Sequence, residues 1–267
     1  MVKTLGIEQF APMNHIYRFY ELNDYMKSIA EIGYHSMDLW TCGSHYFVDS
    51  NNYDIRIVSI TPRQSCPNPF HMAVKKTELR EKAKQYFQNM ILAAHELSCP
   101  KLLITSGWQS YSETRQEAWD RSVWMVGELC RFAEKYGVSL TMETLSRQST
   151  TLVNTISDLK QMMKEVNSKA FTITADIHTI YNAKESIQDY FDTFGKKLNH
   201  CHFMDYKNGI RSHLAWGDGE ADIKEILDIF DRNRFSGHFV LEYTDSKYFL
   251  EPFKVYEKTY HIIRQNL

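Results

Sequence analysis

The sequence predicts an α/β chain wound into a (β/α)8 barrel, and three observations carry that prediction. Strand-like and helix-like segments alternate along the whole length, as in a parallel sheet whose strands are joined by crossover helices. Eight such units fit into 267 residues, the usual length of a (β/α)8 domain. The turn after the first strand, within EQFAPMNH, has no G-x-G-x-x-G, the mark of many doubly wound open sheets. No composition break, Ser/Gly linker or low-complexity tract interrupts the chain, so residues 1–267 are expected to form a single domain.

The elements follow from periodicity and punctuation. LGIEQF (5–10) is the first strand. Residues 20–33 form a helix, with Leu22, Met26, Ile29 and Ala30 on one face and Gly33 as the stop. HSMDLW (35–40) and IRIVSI (55–60) are the second and third strands, the latter closed by Thr61-Pro62. Only residues 41–54 join these two, near the minimum for a parallel crossover, so that helix is expected to be short or missing. Residues 77–98 are helical, and KLLITS (101–106) is strand four. The helix at 112–136 has Ser110 and Glu113 at capping-box spacing before it and Gly137 after it. VSLTME (138–143), AFTITAD (170–176), LNHCHFMD (198–205) and GHFVLEY (237–243) are strands five to eight. Helices are expected at 155–167, 185–195, 221–233 and 251–264.

Bulk properties narrow the function. A formal net charge of −2 offers no field for nucleic acid or an anionic membrane. No stretch approaches the roughly 18–20 apolar residues of a membrane span. Cys42, Cys66, Cys99, Cys130 and Cys201 are scattered and form no C-x-x-C pair, as in a reduced protein. MVKTLGIEQF lacks a basic segment followed by an apolar run, so a cytoplasmic location is expected.

Chemistry is expected at the C-terminal strand ends, where such barrels place their active sites. Strand five ends at Glu143, strand six at Asp176 and strand eight at Glu242, while strand seven carries His202. A buried carboxylate without a partner costs several kcal/mol or more. Taken singly, each of these residues could turn to solvent or satisfy a local bond. As a set recurring once per unit, they point to a divalent cation held by oxygen and imidazole ligands, Mn²⁺, Co²⁺, Zn²⁺ or Mg²⁺.

Four segments, METLSRQSTTLVNT (142–155), TADIHTIYNA (174–183), HCHFMDYKNGIRSHLAWGDGE (200–220) and FVLEYT (239–244), give the chain a resemblance to the xylose-isomerase-like superfamily of TIM barrels, and within it to ketose 3-epimerases of the fructoselysine/psicoselysine type. The resemblance implies one divalent metal, Mn²⁺ first, on Glu143, Asp176, His202 and Glu242. It also implies that Glu143 and Glu242 are the acid/base pair and that Arg211 and His213 lie in the substrate-contacting segment. Trp108 and Trp40 would wall the pocket. Two positions depart from the pattern: Ser149 stands where many of these epimerases have a second glutamate, and Thr179 where some have a histidine, with His178 one residue early. His178 is therefore read either as a substrate contact or as local packing. Gly217-Asp218-Gly219 either offers backbone groups to a substrate or turns the chain into the next helix, with Asp222 as its N-cap.

The implied reaction inverts C3 of a ketose or fructosyl-amine through a cis-enediolate, with one glutamate on each face of the sugar. The nearest alternative is an aldose–ketose (sugar phosphate) isomerase, followed by a polyol-ketone dehydratase. An endonuclease-IV-like nuclease would need histidines at the ends of strands two to four, and DLW, SITP and ITSGW supply none. A non-catalytic sugar- or polyamine-binding module on a degenerate barrel would have no need of all four ligand types. The expected partner is a small sugar, with no nucleic acid or membrane, and members of the family often pair into homo-oligomers.

Overall fold

The computed structural model describes residues 4–41, 53–64 and 69–267. The strands among them are β1 (Phe10–Pro12), β2 (Ser36–Trp40), β3 (Arg56–Thr61), β4 (Lys101–Ile104), β5 (Ser139–Glu143), β6 (Phe171–Asp176), β7 (Leu198–His202) and β8 (His238–Leu241). The helices are α1 (Leu22–Ile32), α2 (Thr77–Glu96), α3 (Arg115–Glu134), α4 (Ile156–Val166), α5 (Ile177–Ala183), α6 (Ile187–Phe194), α7 (Ile223–Arg232) and α8 (Pro252–Asn266). The hydrogen-bonded order is β1-β8-β7-β6-β5-β4-β3-β2, and a parallel bridge between Met13 and Asp38 brings the two ends of that order together. The fold is the near-closed (β/α)8 barrel that the alternation predicts. The described residues between β2 and β3 contain no helix, and positions 42–52 of that connection, with Cys42, lie outside them, as does Cys66. Cys99, Cys130 and Cys201 are buried free thiols.

The chain packs as two compact units. The first comprises Met1–Val58, Asp176–His178 and Asn199–Leu267. Its strands pair in parallel register, Ala11 with Val240 and His202 with Val240. Inside, Ala11, Met13, Val58 and Val240 form an apolar cluster on which Trp40 packs. Asn14 holds Trp40 in place: its amide nitrogen donates to Trp40 O at 2.9 Å, and its oxygen accepts from Trp40 N at 2.6 Å. On the other side Phe10 stacks on Phe239 at 4.7 Å. Gly33 ends α1 at φ 110°, a conformation that L side chains rarely adopt.

The second unit comprises Ser59–Ala175 and Thr179–Leu198. Here β4 pairs with β5, Leu102 facing Leu140, and β5 with β6, Thr141 facing Thr172 and Glu143 facing Thr174. Leu102, Leu140, Met142 and Ile173 are completely buried. The alternate residues of β5 and β6 are polar, and the hydroxyls of Thr141 and Thr174 meet at 2.7 Å. Gln64 extends the β3–β4 pairing by donating to Leu103 O and accepting from Thr105 N.

Three local expectations are corrected. The first strand covers Phe10–Pro12 rather than 5–10, because Ile7–Gln9 form a 3-10 turn in which the Gln9 side chain accepts from Gly6 N at 3.0 Å. Helix α3 starts at Arg115 with a Thr114/Glu117 capping box, whereas Glu113 is drawn to Ser110 N and Arg121. Helix α5 directly follows β6 and was not expected from its short, seven-residue sequence. The caps at Thr155 on α4 and Asp222 on α7 form as the residue types require.

Lys101 opens β4 and is buried, and burial lowers its pKa from 10.5 to about 8. The charged form is therefore disfavoured by folding. Stability should rise with pH between about 8 and 10.5, where the unfolded chain still holds the proton that the folded chain has already released. Lys101→Met should stabilise the protein by roughly 1–2 kcal/mol at pH 7, and urea unfolding at several pH values should show this gain shrinking toward pH 10.5.

Candidate metal centre and active site

Three strand-end residues of the first unit come together. Asp176 is the last residue of β6, His202 the last of β7, and Glu242 the first past β8. Because side chains alternate along a strand, Glu242 shares the face of Val240, which faces His202 in the register. The local folding thus brings His202 Nδ1 to 2.9 Å from Glu242 Oε2 and 3.6 Å from Asp176 Oδ2. His213 completes the group, with Nδ1 3.2 Å from Glu242 Oε2 and Nε2 3.9 Å from Asp176 Oδ2. Asp176 and His202 are buried, whereas Glu242 and His213 keep part of their surface open. Asp176, His178 and His213 offer ligand atoms within 4.8 Å of one another.

Electrostatics bind this group together. Burial opposes charging His213, but the carboxylates of Glu242 and Asp176 outweigh it and raise its pKa from 6.5 to about 9. Burial likewise opposes ionisation of Asp176 and Glu242, yet the neighbouring imidazoles hold Asp176 below and Glu242 well below the usual carboxylate range. The donors are carboxylate oxygens and imidazole nitrogens, the set that suits Mn²⁺, Co²⁺ or Zn²⁺. Two buried carboxylates sharing a site repel each other unless a positive charge lies among them, so the residues fit a divalent cation.

His213 reaches the group because its loop is tightly built. Asp205 and Leu214 exchange backbone hydrogen bonds at 2.9 and 3.1 Å, while His213 N donates to Thr244 Oγ1 and Thr244 N to His213 O. Asp205 is itself buried and accepts from the backbone N–H groups of Tyr206, Gly217, Gly219 and Ala221. The Gly217–Gly219 turn is therefore filled by the protein's own carboxylate, and a Cβ on Gly219 would meet Asp205 Oδ1 at 2.3 Å. The turn enters α7, as the simpler of the two sequence expectations had it.

The other sequence candidates are placed as follows. Glu143 ends β5 in the second unit, buried, opposite Thr174. His178 Nε2 lies 3.2 Å from Ile210 O, and its ring packs against His213 at 5.1 Å; burial and then His213 lower its pKa. Trp40 is half-buried against the apolar cluster. Trp108 stacks on His71 at 3.8 Å in the second unit. Arg211 is exposed, and among the described residues it makes no hydrogen bond or ion pair with the group. One residue was missed: His15, just past β1, has its ring 4.5 Å from Trp40 and Nδ1 3.0 Å from Tyr243 O. Burial, then Arg18, lowers its pKa to about 4, so it is neutral at pH 7. Its position after a strand in PMNH was the available signal.

The chain matches the family described as xylose isomerase-like TIM barrel over residues 27–265, and it belongs to that family. It is 25% identical over 258 residues to fructoselysine 3-epimerase of Shigella flexneri, covering 91% of this chain and 89% of that one. The crystal structure of D-psicose 3-epimerase with D-tagatose from Clostridium cellulolyticum H10 superposes with a TM-score of 0.74 at 17% identity, covering 94% of this chain and 92% of that one. That of the IOLI protein with a bound zinc atom gives 0.79 at 14% identity, covering 97% and 99%. These last two share the fold.

Asp205→Ala would strand four backbone donors and should lower unfolding free energy by about 3 kcal/mol or more, measured by urea denaturation. Asp205→Asn, which keeps acceptor capacity on one oxygen, should lose less.

Proposed function

We propose that the protein is a divalent-metal-dependent sugar epimerase that inverts C3 of a ketose or fructosyl-amine. The observation that carries this reading is the convergence of Asp176, His202, His213 and Glu242 at strand ends of a xylose isomerase-like barrel. The named activities of its relatives, fructoselysine 3-epimerase and D-psicose 3-epimerase, support the choice of reaction.

In this reading Glu143, Asp176, His202 and Glu242 hold one metal ion, Mn²⁺ first. When bound, the ion supplies Lewis-acid stabilisation of the negative charge that develops on the sugar oxygens. The chain's own carboxylates move the proton. A hydrogen beside a ketose carbonyl is too weakly acidic to leave at neutral pH unaided, so a positioned base must take it. One of Glu143 and Glu242 removes the C3 proton, and the other returns a proton to the opposite face. His213, against Glu242, orients that carboxylate and offers a donor to a substrate oxygen. His178 and Trp40 are proposed as the neighbouring substrate contacts, with His15 added beside Trp40, and Trp108 as a wall on the second unit. Arg211, exposed in the same loop as His213, would reach a substrate only from the solvent side.

Incubation with ketoses and fructosyl-amino acids in D₂O, followed by NMR after metal removal, tests the reaction. Deuterium at C3 with a new epimer is the expected result. Deuterium at C1 or C2 with an aldose would instead make the protein an isomerase. Glu143→Gln and Glu242→Gln should each lower turnover by about 10³-fold. Chelation should abolish turnover and lower the melting temperature, with Mn²⁺ restoring both. A variant of either glutamate with near-normal activity would remove that residue from the mechanism.

A further inference from the structure

The second unit contains a cavity of about 320 Å³ lined by the β5–α4 connection and α5, and none of the residues proposed above as metal ligands, acid/base groups or substrate contacts belongs to it. Ser146, Arg147, Asn154 and Thr155 form one side, and Thr179 and Asn182 the other. The connection is firmly built. Asn154 Nδ2 donates to Leu145 O at 2.7 Å and Thr150 O at 3.1 Å, and Leu145 N donates to Val153 O. Within this unit, Ser146 is three residues past Glu143 along the chain. Connections that leave the C-terminal strand ends are where barrels of this class recognise their substrates.

Arg147 gives the cavity its character. It is exposed, and among the described residues it makes no hydrogen bond or ion pair. The nearby arginine is committed: Arg115 donates to Thr151 O, Leu152 O and Asp158. The nearby acids are committed too. Asp158 accepts from Arg115 and from Asn154 N and Thr155 N, and Glu185 accepts from Ile156 N at 2.9 Å. An uncommitted guanidinium beside serine and asparagine side chains is a receptor for a planar or tetrahedral oxyanion, which arginine grips with two parallel N–H groups.

We propose that this cavity is a subsite for an oxyanion at the end of the substrate distal to its reacting carbonyl, with Arg147 as the specificity-determining residue. The carboxylate of an amino-acid adduct and a terminal sugar phosphate share that chemistry. The inference rests on the ketose reading above and narrows its substrate to an anionic one. The tail alone enters the cavity, so Arg147 contributes to binding in the ground state and the transition state alike.

The test is calorimetry on the Mn²⁺-loaded protein, wild type against Arg147→Ala and Arg147→Lys, with four probes: fructosyl-lysine, its carboxamide, fructose 6-phosphate and fructose. At least one anionic probe should bind the wild type about 10- to 100-fold more tightly than Arg147→Ala, with partial recovery in Arg147→Lys. The two neutral-ended probes should not distinguish the variants. Which anionic probe responds separates an amino-acid adduct from a phosphate. In turnover, the loss should appear in KM while kcat stays within about twofold. Equal binding of both anionic probes by wild type and Arg147→Ala would overturn the subsite even if epimerisation is observed. Arg147-dependent binding without turnover of any ketose would support the oxyanion site and overturn the epimerase reading.

Discussion

Two carboxylates and two imidazoles crowd into one partly closed space at the ends of β6, β7 and β8, and the first unit is organised around their charge balance. Asp176 and Glu242 could not both stay ionised there without a compensating charge. His202 and His213 supply part of it, and the shifts in the group all run toward ionised carboxylates and a protonated His213. A divalent cation can take over that compensation, because the same oxygen and nitrogen atoms that attract each other are good ligands for it. A cation that binds only the folded chain would add to its stability, which links metal binding to folding.

Holding His213 in that space requires structure well outside it. Its loop is stitched to the β7 end through Leu214 and Asp205 and to the β8 end through Thr244. Asp205 then converts the loop into a rigid turn by taking four backbone N–H groups on one carboxylate. Asp218, in the same turn, is tied to Lys258 and Tyr248, anchoring it on α8. Asp205, an acidic residue three positions past His202, is thus a scaffold for the loop that carries His213.

The division of labour within the strands has a simple origin. In β5 and β6 one set of alternate residues is Leu140, Met142, Phe171, Ile173 and Ala175, all buried. The other set is Thr141, Glu143, Thr172, Thr174 and Asp176. A strand with two buried faces can carry polar groups on one of them only where they find partners, and the Thr141–Thr174 hydroxyl contact is such a partner. The polar set ends in the carboxylates at the C-terminal end, which turns a tolerated polar face into a chemical one.

The sequence by itself determined the barrel, because alternation, strand length and helix stops are local properties that eight repetitions make unambiguous. It also marked Asp176, His202 and Glu242, since strand ends can be located from periodicity and in a barrel all point to the same rim. Tertiary structure decided what periodicity cannot reach. His213 and His15 lie in connections, where no repeat relates position to direction, and their approach to Glu242 and Trp40 depends on hydrogen bonds to residues far along the chain. The first strand was misplaced because Gln9 satisfies Gly6 locally and turns the backbone before the apolar run begins. The scaffolding role of Asp205 shows only in its four N–H donors, and those donors come from residues up to 221. A side chain's type and spacing show what it can do, and its partners, set by the packed chain, select among those possibilities.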